Sequence, residues 1–192
     1  GSGKSSFALF LSHLLSTPES KKASAARKLL AGNDPELAEA LRVETKDTDG
    51  YLEVLISGTP ERLSLRYLRG LQDGMAGYWL GRKGKKPAVI ADMDRYAAAG
   101  EVSVSELIEL TKSCQGALSK VGCPGMIIVF DEFGKFLEYE SRFLGVNDVF
   151  LLQALAEHAH AAHSTKILLL VLLHQSIEQY ARGVGESLKN EW

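Results

Sequence analysis

The sequence predicts an α/β fold, a parallel β-sheet flanked by helices. Two observations carry this expectation. Short apolar strands alternate with longer helical patterns, the order that builds crossover units. Two of those strands, at 126–130 and 167–173, are continuous apolar runs, which suits strands covered on both faces. The chain has 192 residues, 45% hydrophobic and 24% charged, so it is read as a single domain over 1–192.

The elements follow in order. A helix starts at Lys4, with Phe7, Leu11, Leu14 and Leu15 at helical spacing and Pro18 as a stop. Residues 20–30 and 35–43 read as two short helices split by the Gly32-Asn33-Asp34 turn. Residues 51–56 form a strand ended by Gly58. Thr59 and Pro60 open a helix that runs to about Leu80, with Leu63, Tyr67, Leu71 and Met75 on one face. Gly70, Gly74 and Gly77 weaken that pattern. Residues 82–100 read as an insertion that leaves the core, led by the basic cluster Arg82-Lys83-Gly84-Lys85-Lys86, which is read as a solvated loop with contact to phosphate as the alternative. Ser103 and Glu106 fit a capping box for a helix to about Val121, broken by Cys123-Pro124-Gly125. After the strand at 126–130, Asn147 caps a helix over 148–162, and Lys166 leads into the strand at 167–173. The tail from Ser176 is helix-like and then polar.

Lys and Arg total 22 against 24 Asp and Glu, a net charge of −2. Domains that wrap nucleic acid carry a basic excess, so such contact would need a local patch. Cys114 and Cys123 match no zinc spacing and no disulfide framework and are read as reduced thiols. His158, His160 and His163 cluster without a carboxylate or cysteine to complete a ligand set, and are read as a polar helix end. No segment reaches the ~20 apolar residues of a membrane span, and residues 1–16 lack a signal-peptide pattern. The expected compartment is the cytoplasm, with no membrane contact.

The strongest chemistry lies at the start. Gly1-Ser2-Gly3-Lys4-Ser5 matches the second half of the phosphate-binding pattern G-x-x-x-x-G-K-[ST]. Glycines let backbone N–H groups close on phosphate oxygens, and the following helix aims its positive end at the anion. Lys4 would reach the β- and γ-phosphates, the Ser5 hydroxyl would ligate Mg²⁺, and Ser6 completes the cradle. The pattern's first glycine and its strand would lie upstream of Gly1. The chain is therefore expected to start inside the loop and to lack the first strand of its sheet. The alternative for Gly1 to Gly3 is a linker remnant.

The strand at 126–130 delivers Asp131 and Glu132 to the sheet's carboxyl edge, where α/β folds bind ligands. Asp131 would hold Mg²⁺ through its water shell, and Glu132 would act as general base on the attacking water. The strand at 167–173 ends in His174 and Gln175, either of which can hydrogen-bond a phosphate oxygen; Gln175 is slightly preferred. Arg142 and Arg182 are candidate arginine fingers. The aromatics of 133–139 cover the nucleotide pocket, pack a partner or fill the core.

Gly3-Lys4-Ser5, Phe130-Asp131-Glu132 and the strand ending His174-Gln175 resemble the P-loop NTPases with a catalytic glutamate, including AAA-type ATPases. The string 130–138 also resembles the large ATPases of prokaryotic phage-defence systems of the BREX type. The resemblance implies a sheet with the P-loop strand at its centre, ATP and Mg²⁺ as cofactors, and Mg²⁺-dependent ATP hydrolysis that drives work on other subunits or domains of a larger complex. A nucleotide-dependent switch with little turnover is the alternative. ATP is preferred to GTP because no Asn-Lys-x-Asp string is present. The chain departs from the class in the missing start of the loop and the absence of a lid after Trp192.

Overall fold

In the computed structural model the described residues are 3–18, 20–80, 82, 85–142, 149–161 and 165–175. The elements are α1 (Lys4–Leu15), α2 (Lys21–Asn33), α3 (Pro35–Glu44), β1 (Leu52–Ser57), α4 (Leu63–Trp79) and α5 (Ala88–Ala99). They continue with α6 (Val104–Ser119), β2 (Gly125–Asp131), α7 (Gly134–Arg142), α8 (Val149–His160) and β3 (Lys166–Val171). The architecture is α/β, as predicted. One parallel sheet has the order β1-β2-β3, with Ser57 opposite Asp131 and Phe130 opposite Val171.

The continuous apolar run makes β2 the central strand. Gly125 through Phe130 are all buried, because helices cover both of its faces. Met126, Ile128 and Phe130 face the larger core, built with α4, α6 and α8. Ile127 and Val129 face the other way and pack with Ala8 of α1. Of the helix face predicted for α1, Leu14 is buried but Phe7 is 61% exposed. The small Ala8 sits against the sheet instead, where a close approach leaves no room for a phenyl ring. The outer flank of β3 pairs with no strand among the described residues, and Leu168 on it is 39% exposed.

Helix α4 begins at Leu63, not at Thr59. The loop before it is fixed by other bonds: the Thr59 hydroxyl donates to Glu61, and the Gly58 N–H donates to Asp131 O at 2.8 Å. Leu63, Tyr67, Leu71 and Met75 are fully buried, as their spacing predicts. Two of the three glycines that weakened the helical pattern, Gly70 and Gly74, are where α4 lies against β1, while Gly77 is exposed. A Cβ on Gly70 would come within 2.7 Å of Ile56 Cγ1, and one on Gly74 within 2.6 Å of Glu53 O. Residues 82–100 do not simply leave the core. Their second half is α5, and its Val89 and Met93 are buried against the main cluster, on α4 and α6. Ile90 and Tyr96 pack against the same cluster, and the Gln72 amide of α4 donates to Asp94 at 2.9 Å.

The Ser103 and Glu106 capping box forms as predicted. Residues 134–142 are helical, and of the aromatics of 133–139 two are core: Phe133 and Phe136 are buried, in a chain of ring contacts from Tyr67 through Phe130, while Tyr139 is half-buried. His158 is buried and bonded through Nε2 to Gln115 Oε1, while the Gln115 amide donates to Thr165 O. His163, Asn147 and the tail from Ser176 lie outside the described residues. No helix among the described residues is long and apolar enough to cross a membrane.

Candidate functional site

The site lies at the carboxyl edge of the sheet, where β1 and β2 end side by side at Ser57 and Asp131. Side chains alternate along a strand, so Asp131 continues the parity of Ile127 and Val129 toward α1. There it lines a cavity of about 320 Å³ with Ser5 and Ser6 of α1, Ser57 of β1, Arg66 of α4 and Leu172. Ser5 and Ser6, which follow the predicted phosphate turn, and the predicted metal carboxylate Asp131 therefore share one cavity. At the start of α1, Gly3 has φ 69°, a left-handed backbone that glycine adopts without a Cβ clash. The amide groups of the first turn point toward the cavity's end of the helix, which carries the positive end of its dipole. The Lys4 ammonium donates to Leu173 O at 2.7 Å, so it reaches the strand end next to β2.

Glu132 comes directly after Asp131. Its φ of 52° is left-handed, an unusual state for a residue with a side chain. Local bonds impose it: the Glu132 N–H donates to Asp131 Oδ1 at 2.9 Å, and the Phe133 N–H donates to Leu172 O at 3.0 Å. Gly58 fits beneath this turn, since a Cβ there would stand 2.2 Å from Glu132 O. The Glu132 carboxylate meets the Lys135 ammonium and, at 3.5 Å, His174 Nε2. Its hydrogen bond to Lys135, with help from His174, holds the carboxyl below its ordinary value.

Of the predicted residues, Gly3, Lys4, Ser5, Ser6, Asp131, Glu132 and His174 gather at this edge. The polar strand end that meets Glu132 is His174; Gln175, the preferred residue, is exposed. Gly1, Ser2, Arg182 and the Arg142 side chain lie outside the described residues. Sequence reading missed Arg66 and Lys135. Lys135 stands three residues after Glu132 at the start of a helix, a spacing that pairs charges. Arg66 lies in the first two turns of the helix after β1, and parallel topology carries that helix start to the carboxyl edge.

Chemically, the cavity offers a hydroxyl and a carboxylate for a hard cation beside an ammonium and free helix N–H groups for an anion. No group of three or more His, Cys, Asp or Glu side chains suited to a metal occurs among the described residues. A cation here would rest on Ser5, Asp131, water and the anion's own oxygens, a donor set that suits Mg²⁺ better than Zn²⁺. No protein family, curated protein or solved structure matches this chain.

Proposed function

We propose that this chain is a P-loop ATPase domain that binds ATP with Mg²⁺ and hydrolyses it, as the motor of a larger assembly. The observation that carries the reading is the shared cavity. Residues 126 positions apart in sequence, Ser5 and Asp131, line one space at the sheet's carboxyl edge, and Lys4 reaches the adjacent strand end. Lys4 and the α1 N-terminus bind the phosphates, Ser5 and Asp131 hold the metal, and bound Mg²⁺ neutralises charge on the phosphate oxygens. Glu132 orients and deprotonates the attacking water, and His174 positions Glu132. The strand order supports the same reading, because the flank of β3 that pairs with no strand among the described residues is where the class places its P-loop strand.

One observation favours the second reading, an ATP-bound switch. Glu132 is engaged by the Lys135 ammonium and by His174 Nε2, and a base so paired must leave them to accept a proton. Turnover separates the two. Mg·ATP binding is expected in the wild type and lost in Lys4→Ala. Hydrolysis is expected to fall at least about a hundredfold in Glu132→Gln with binding retained, the size of a lost general base. Turnover unchanged by Glu132→Gln would remove Glu132 from its role, and wild-type binding with little turnover would leave the switch. Absence of nucleotide binding would end both.

A further inference from the structure

We propose that Arg66 contacts the terminal phosphate of the bound nucleotide from within the same chain, across the cavity from Asp131. The inference rests on the nucleotide reading above and deepens it, since it names the residue that tells a triphosphate from a diphosphate.

Arg66 lines the cavity together with Ser5, Ser6 and Asp131. Its own partners are loose. Nε stands 3.5 Å from Ser57 O and 3.9 Å from Glu61 Oε1. Glu61 is engaged more closely elsewhere, with Arg69 at 2.7 Å and the Thr59 hydroxyl at 2.7 Å. No ion pair joins Arg66 to Asp131 among the described residues, although both face the same space. Arg66 and Asp131 thus line one space without pairing with each other, which suits a metal–phosphate unit with its cation toward Asp131 and its anion toward Arg66.

The planar guanidinium donates two parallel N–H bonds to phosphate oxygens, which a lysine does not do. Arg66 lines the cavity with Ser57 and Asp131, at the sheet edge where Lys4 reaches Leu173 O. On the nucleotide reading, the terminal phosphate is the part of the ligand that Arg66 meets.

The test compares affinity for Mg·AMP-PNP and Mg·ADP by calorimetry on the whole chain. Wild type, Lys4→Ala, Arg66→Ala, Arg66→Gln and the control Arg69→Ala are measured, with a thermal melt for each. Arg66→Ala and Arg66→Gln are expected to weaken AMP-PNP by at least about tenfold, the effect of one charge-assisted contact, with ADP within about twofold of wild type. Arg69→Ala is expected to leave both affinities in place. Arg66→Gln retains most of the side chain's packing and carries the test if Arg66→Ala does not fold. Binding that Lys4→Ala abolishes, with an AMP-PNP to ADP ratio unchanged by both Arg66 variants, overturns this inference alone. A wild type that binds neither nucleotide overturns the nucleotide reading and this inference with it.

Discussion

Gly58→Ala perturbs the site through its backbone. A Cβ at Gly58 would lie 2.2 Å from Glu132 O, 2.9 Å from Glu132 C and 3.2 Å from Asp131 O. Carbon needs about 3.5 Å, so the two chains would have to part by roughly an ångström. Little there can yield. The Gly58 N–H is bonded to Asp131 O at 2.8 Å, β1 and β2 are paired in register up to Ser57 and Asp131, and the Phe133 N–H is tied to Leu172 O. All three close atoms are backbone, so no rotamer change relieves the clash. The expected cost is about 3 kcal/mol, the upper end for overpacking. For a urea slope near 2 kcal/mol/M this lowers the unfolding midpoint by about 1.5 M, read by circular dichroism. Gly77→Ala and Gly116→Ala are the controls. Both glycines are inside helices, and a Cβ on either would meet nothing within 4 Å, so alanine is expected to stabilise by about 0.5–1 kcal/mol. A Gly58→Ala protein that unfolds at the wild-type midpoint would refute the claim that Asp131 and Glu132 are rigidly seated.

The Thr111 hydroxyl donates to Leu107 O at 2.8 Å, so the buried Tyr67 hydroxyl, 2.8 Å away, donates to Thr111. Tyr67→Phe therefore removes one bond and is expected to cost about 1 kcal/mol, while Thr111→Val leaves a buried phenol without an acceptor and is expected to cost about 2 kcal/mol in the same urea assay. The order of the two is the test, and equal costs would contradict it. Lys135→Ala removes the largest cause of the lowered Glu132 carboxyl, so NMR titration of that carboxyl should show it rise toward its ordinary value. A carboxyl held low in the fold adds stability above its unfolded value and loses it as pH falls through the folded one. The stability gap between wild type and Lys135→Ala should thus be present at neutral pH and close in acid.

The sheet was legible in the sequence because its signal is one-dimensional. A run such as 126–130 has no polar residue to place on a solvent face, so it had to be a covered strand, and Asp131 had to fall at its end. The capping box of α6 and the buried face of α4 were legible for the same reason: spacing alone defines them. The exposure of Phe7 was not legible, because helical spacing says which residues share a face but not how close that face comes to its neighbour. Ala8 against Val129 decides it. Arg66 was hidden differently. Its place in the cavity depends on how β1, β2 and α1 are arranged in space, and nothing near it in sequence resembles a motif. His174 against Gln175 is decided by one turn of backbone beyond β3, below the resolution of any pattern.

The two halves of Glu132 obey different constraints. Its backbone is over-determined. The N–H is bonded to Asp131, its O accepts from the Lys135 N–H at 3.0 Å, Gly58 closes the space beneath, and the buried rings of Phe133 and Phe136 anchor the start of α7. A left-handed residue persists only where the surroundings impose it, and here they do. Its carboxylate is constrained far less. The Lys135 partner is exposed, and ion pairs at the surface add little to stability because water and salt compete with them. The carboxylate can therefore leave Lys135 without disturbing the turn that aims it. On the proposed function this division suits a general base, since the position of the group is fixed by the fold while its engagement with a water requires only the loss of a weak surface contact.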